Sequence, residues 1–195
     1  TVPPARRALP RQVVLLSGEP GIGKSRVTQE LRERVANEPH TRLRYQCSPY
    51  HTNSAFYPVI DQLERAASFA RGDATDAKLD KLEALLAQST DNMAEVAPLF
   101  AALLSLPIDR HRPLNLSPQK QKENTIEALA EQVVALAGRQ PVLMIFEDAQ
   151  WIDPTTLEVL GAVIARVREA AVLVVITQGH AQPAHRDRQG RRGRW

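Results

Sequence analysis

The chain alternates short, unbroken apolar runs with longer stretches in which apolar residues recur every three or four positions. The runs are Val13-Val14-Leu15-Leu16, Val142-Leu143-Met144-Ile145-Phe146 and Val172 to Thr177. Their length and β-branched content fit strands buried on both faces of a parallel sheet. Arg42 to Cys47 alternates polar with less polar residues and predicts a further strand. Val27, Leu31 and Val35 predict a helix from about Ser25. From about 48 to 140 the pattern is mostly helical. Its stripes are Val59, Leu63 and Ala67, then Leu79, Leu82 and Leu86, then a weaker Leu99, Leu103 and Leu106. The clearest helix carries Ile126, Leu129, Val133, Val134 and Ala137, with Gly138 as its expected stop. Asp153-Pro154 supplies a capping carboxylate and a first-position proline for a last helix, whose expected buried face is Leu157, Leu160, Ile164 and Val167. Apolar strands alternating with amphipathic helices predict an α/β fold, a parallel sheet with right-handed crossovers that carries a helical insertion.

Composition narrows the class without changing that picture. A length of 195 residues suffices for one domain with a real core, or one with a helical annex. A hydrophobic share of 43% with 24% charged residues is ordinary for a soluble globular protein. There is no apolar run of membrane-spanning length, no charged-then-apolar signal segment, and Cys47 is the single cysteine. The cytoplasm is therefore the default location, with no membrane partner. The pI of about 9.3 suggests nucleic acid until the charge is located. Arg186, Arg188, Arg191, Arg192 and Arg194 crowd the end of the chain, and the remainder is near neutral. Residues 178–195 thus read as a basic, disordered tail rather than a nucleic-acid reader. Residues 1–11, with Pro3, Pro4 and Pro10, read as an irregular lead-in, which leaves 12–177 as the folded domain.

Between the first strand and the first helix stands Gly18-Glu19-Pro20-Gly21-Ile22-Gly23-Lys24-Ser25, which fits the phosphate-loop pattern G-x-x-x-x-G-K-[ST] at every fixed position. The chemistry explains the residue types. Glycines let the backbone wrap a polyphosphate with its amides pointing inward, and the helix that opens here adds the positive end of its dipole. Lys24 would reach the β- and γ-phosphate oxygens as a point charge, and Ser25 would ligate Mg²⁺. The candidate nucleotide-binding set runs from Gly18 through Arg26.

The strand at 142–146 ends in Glu147-Asp148. Acids after an apolar strand are often a solvated strand end. Paired with the loop upstream, they become a metal and catalytic pair: one carboxylate beside the phosphate loop holds magnesium through water, and the other orients or deprotonates an attacking water. The first acid is usually aspartate in phosphate-loop ATPases, so the presence of Glu147 there leaves the division of roles open. Asp153 reads as a helix cap and Trp151 as a packing residue near the site. The histidines show no metal-ligand spacing, and Cys47 has no partner for a nucleophilic pair.

Three segments together resemble one known group: Gly18 to Ser25; Arg44 to His51 onward to Glu64-Arg65-Ala66-Ala67; and Pro141 to Pro154 with its Glu-Asp-Ala-Gln-Trp-Ile-Asp-Pro run. The chain is similar, from about Gln12 to Thr177, to the ATPase module of bacterial adenylate/guanylate-cyclase-like signalling proteins, in the STAND branch of AAA-type ATPases. The resemblance implies a three-layer AAA-type core in which the phosphate-loop strand is central, with the magnesium strand and a sensor strand beside it. It also implies an ATP-driven switch that self-associates and is reset by slow hydrolysis. Two departures stand out. Thr1 to Arg11 lacks the family's Gly-Arg segment that helps hold adenine, and after Thr177 no Arg-Pro segment, further strand or lid follows. The sheet is therefore expected to be truncated at its C-terminal end, with Val13 to Ser17 unpaired on one side, and the ends read like those of a fragment.

Three functional readings follow. The first is a regulatory ATPase module that binds ATP or ADP with Mg²⁺. The second is a catalytically silent interaction module or truncated remnant, whose helical insertion is the working surface. The third is the same ATPase serving a LuxR-type transcription regulator.

Overall fold

A computed structural model describes residues 12–107, 110, 114–167 and 170–179. The expected lead-in at 1–11 and the tail from 180 onward lie outside the described residues. The elements run β1 (Gln12–Gly18), α1 (Lys24–Arg34), β2 (Thr41–Gln46), α2 (Tyr57–Ala66), α3 (Thr75–Leu86), α4 (Met93–Leu103), α5 (Pro118–Arg139), β3 (Val142–Glu147), α6 (Pro154–Arg166) and β4 (Val172–Gly179). A single 3-10 turn, Ala149–Trp151, links β3 to α6. β4 extends two residues past Thr177, so Gln178 and Gly179 are strand rather than tail. Gly138 does not stop α5, which continues through Arg139.

The four strands are parallel in the order β1-β4-β3-β2. From β1 the chain crosses the sheet to β2 by way of α1. It then returns by adjacent steps through β3 to β4, with its other helices on the opposite face. Reversing direction while changing face keeps one crossover hand. The point where the direction reverses is the gap between the carboxyl ends of β1 and β4, where open α/β sheets take ligands.

Alternation along the strands separates two cores. Leu43, Tyr45, Val142, Met144, Phe146, Val172 and Val174 pack under α2 to α6 in the large core. Leu143, Ile145 and Val175 face the other way, against Leu31 and Val35 of α1. The stripes of the insertion lie in the large core: Leu79, Leu82 and Leu86 are at most 2% exposed, and Phe100 is fully buried. Burial of each such side chain is worth about 1.5–3 kcal/mol, so this face carries most of the hydrophobic stabilisation.

Two apolar patterns end up less covered than their sequence implies. Val13, Val14 and Leu15 were expected to be buried on both faces, yet they are 40–55% exposed. β1 has a described neighbour on one side only, so its other edge and flank stay open. Val27 and Leu157 likewise fall outside the buried faces of their helices, where Thr28 and Thr156 take the inward positions.

Candidate functional site

The turn between β1 and α1 is built on two glycines with positive φ, Gly21 at 85° and Gly23 at 102°. Residues with a Cβ rarely adopt such angles, so the loop shape depends on glycine at both positions. Gly18 is needed for another reason: a Cβ there would lie 3.0 Å from Ile22 Cγ2. Gly23 caps α1 without any side-chain acceptor. The first amides of the helix therefore have no side chain bonded over them, which leaves the positive end of the dipole available to an anion.

Lys24 folds back over the loop, where its Nζ donates to Gly18 O at 2.7 Å and Glu19 O at 2.9 Å. Glu19, Pro20, Ile22, Ser25 and Arg26 stand exposed around it. The arrangement fits a polyphosphate: an ammonium, open helix amides and a glycine-shaped turn converge at the switch point of the sheet.

The acidic pair sits one strand further away than the sequence reading placed it. β4 lies between β1 and β3, so Glu147 and Asp148 face the loop across the end of β4 rather than from the neighbouring strand. The loop strand lies at the edge of the described sheet, which agrees with the expectation that Val13 to Ser17 are unpaired on one side. The C-terminal residues of β4 bridge the gap. Thr177 Oγ1 accepts from Asp148 N at 3.2 Å, Gly179 N donates to Gln150 Oε1 at 2.7 Å, and Gln178 Nε2 lies 3.5 Å from Ser17 Oγ.

Both acids have partners on β2. Arg44 Nε donates to Glu147 Oε2 at 2.8 Å, and its Nη2 reaches the same oxygen. The Glu147 side chain is only 16% exposed, so this charge-assisted contact holds it firmly. Asp148 takes a left-handed backbone, φ 56°, and its Oδ2 accepts from Gln46 Nε2 at 3.0 Å. The sequence reading did not single out Arg44, Gln46 or Thr177. Arg44 and Gln46 share the polar side of an alternating strand and Thr177 ends an apolar one, but only the register of the sheet brings them to the acids.

Asp153 is a cap, as expected, and also a latch. Its Oδ1 accepts from Thr155 N and Thr156 N of α6 and from Phe56 N at the start of α2, while Oδ2 accepts from the Thr156 hydroxyl. Trp151 is 42% exposed beside the acidic turn. Among the described residues no group of three or more His, Cys, Asp or Glu could hold a metal ion. Mg²⁺ does not require one, since it is usually held by one or two carboxylates together with substrate phosphates.

This geometry has a counterpart in a family model, the AAA ATPase domain, which matches residues 3–176. The chain belongs to the AAA ATPase family. Its parallel four-stranded sheet flanked by helices is the phosphate-loop core of that family. This AAA ATPase domain is also 31% identical over 165 residues to an uncharacterized protein of Rhizobium meliloti (strain 1021). That match takes in 85% of the chain but spans only 16% of the relative's length. No helix among the described residues is long and apolar enough to cross a membrane.

Proposed function

We propose that this domain is a regulatory ATPase, a cytoplasmic nucleotide switch of the cyclase-associated STAND type that binds ATP with Mg²⁺ and hydrolyses it slowly. The observation that carries the reading is the folded-back Lys24 above an uncapped helix N-terminus at the sheet's switch point. An arriving triphosphate offers Lys24 charged oxygens in place of the carbonyls of Gly18 and Glu19. The amides from Gly21 to Ser25 donate to the same phosphates. Ser25 and one acid of the Glu147–Asp148 pair would hold Mg²⁺, and the other acid would orient the attacking water. When bound, the ion offsets charge on the β- and γ-phosphate oxygens. Self-association in the ATP state belongs to the same proposal.

The grip of Arg44 on Glu147 favours a second reading, in which the domain binds nucleotide but stays catalytically silent. Calorimetric titration of ATP and ADP, with and without Mg²⁺, tests binding. Lys24→Ala should weaken ATP by at least about tenfold, since a hydrogen bond to a charged group is worth about 1.5–3 kcal/mol; unchanged affinity refutes the site. Saturable turnover that is lost in Glu147→Gln or Asp148→Asn, with binding kept, excludes the silent reading.

A further inference from the structure

A second basic site lies on the far edge of the sheet, away from the phosphate loop. Arg32 from α1, Arg42 and Arg44 from β2, and Gln62 and Arg65 from α2 line a cavity of about 330 Å³. Three strand spacings, about 14 Å at 4.8 Å each, separate β2 from the loop strand, and Arg44, which also holds Glu147, is the residue this cavity shares with the acidic turn.

The charges in this cavity do not balance. Arg44 is paired with Glu147, and Arg65 with Asp61 at 2.8 Å. Arg32 and Arg42 have no carboxylate partner among the described residues. Arg32 Nε is shielded from solvent and makes no hydrogen bond. Gln62 is 8% exposed overall, and its side-chain amide lies at the cavity wall. A buried donor without an acceptor is rare in folded proteins and calls for an explanation. An anion in the cavity supplies it.

We infer that this cavity binds a small, multiply charged oxyanion of the phosphate class. Two guanidiniums without carboxylate partners suit a ligand with at least two negative charges. The donors come from three elements along an open cleft, which suits tetrahedral phosphate oxygens better than one planar carboxylate. At about 30 Å³ per water, the volume equals about eleven waters, which is room for a diphosphate.

Inorganic pyrophosphate is the probe, titrated calorimetrically into the full chain carrying Lys24→Ala so that the phosphate loop contributes little. One binding event should remain, weaken with added salt, and lose at least tenfold in affinity when Arg32→Gln and Arg42→Gln are added. Arg42 is exposed, so Arg42→Gln alone leaves the fold intact and should give a smaller loss in the same direction. ATP titrated into the Arg32→Gln/Arg42→Gln chain with Lys24 intact should keep the binding event that Lys24→Ala weakens, which separates this site from the nucleotide reading. Absence of pyrophosphate binding in the Lys24→Ala chain, equal affinity with and without the two arginines, or binding of an acidic peptide but not of pyrophosphate would each overturn the assignment.

Discussion

Asp153 permits a worked estimate because its four hydrogen bonds divide between its two oxygens. Oδ1 takes three backbone amides, from Phe56, Thr155 and Thr156, while Oδ2 takes only the Thr156 hydroxyl. Asp153 is 1% exposed and Thr156 fully buried, so water cannot replace the lost acceptor. Asp153→Ala removes a helix cap, worth about 1 kcal/mol. It also strands the Phe56 amide, at about 1–3 kcal/mol, and deprives the Thr156 hydroxyl, at about 1 kcal/mol. The sum is a loss of about 3–5 kcal/mol. Asp153→Asn keeps the amide-accepting oxygen and reverses only the contact to Thr156, whose hydroxyl can accept instead, so it should cost about 1 kcal/mol. For a domain of this size each kcal/mol moves Tm by about 2–4 °C, so alanine should lower it by roughly 6–20 °C and asparagine by a few degrees. Urea unfolding checks the same difference as a shift in midpoint at constant slope. Equal losses for the two variants, or an alanine variant within 1 kcal/mol of the parent, would refute the partition.

Other expectations follow from the same coordinates. Gly23→Ala forces a Cβ onto a backbone at φ 102° and should destabilise by about 1–2 kcal/mol while weakening ATP. Gly72→Ala, with open space around it, should be neutral in the same melt. Burial first, then the charges of Asp153 and Asp148, push the Cys47 thiol from 9.0 to about 12. A raised acid is neutral in the folded state, so its stabilising contribution is complete below pH 9 and is lost as pH rises toward 12. Between pH 8 and 11 the urea midpoint should therefore fall more for the parent than for Cys47→Ala. An equal fall would place the alkaline loss elsewhere, with Tyr45, whose buried phenol is also raised, as the next group to test.

Much of the fold was legible because it is written locally. The apolar runs at 142–146 and 172–177 became β3 and β4, and Asp153-Pro154 opened α6. The loop was legible because its geometry depends on residue types that stand next to one another. Strand order was harder to read. One open side of β1 was expected, but its apolar run taken by itself reads as buried on both faces, and its valines are not. Nor could the sequence place β4 between the loop and the acids. Arg44 and Glu147 are 103 positions apart and meet only through the β2–β3 register. Asp153 was read as a cap from its own neighbourhood, but its bond to Phe56 spans 97 positions and needed the packed insertion.

The three residues that finish β4 each hold on to a different piece of the surroundings: Thr177 the turn at Asp148, Gln178 the strand leading into the loop, and Gly179 the side chain of Gln150. The end of β4 is thus, among the described residues, the one neighbour that the strand leading into the loop and the acidic turn have in common.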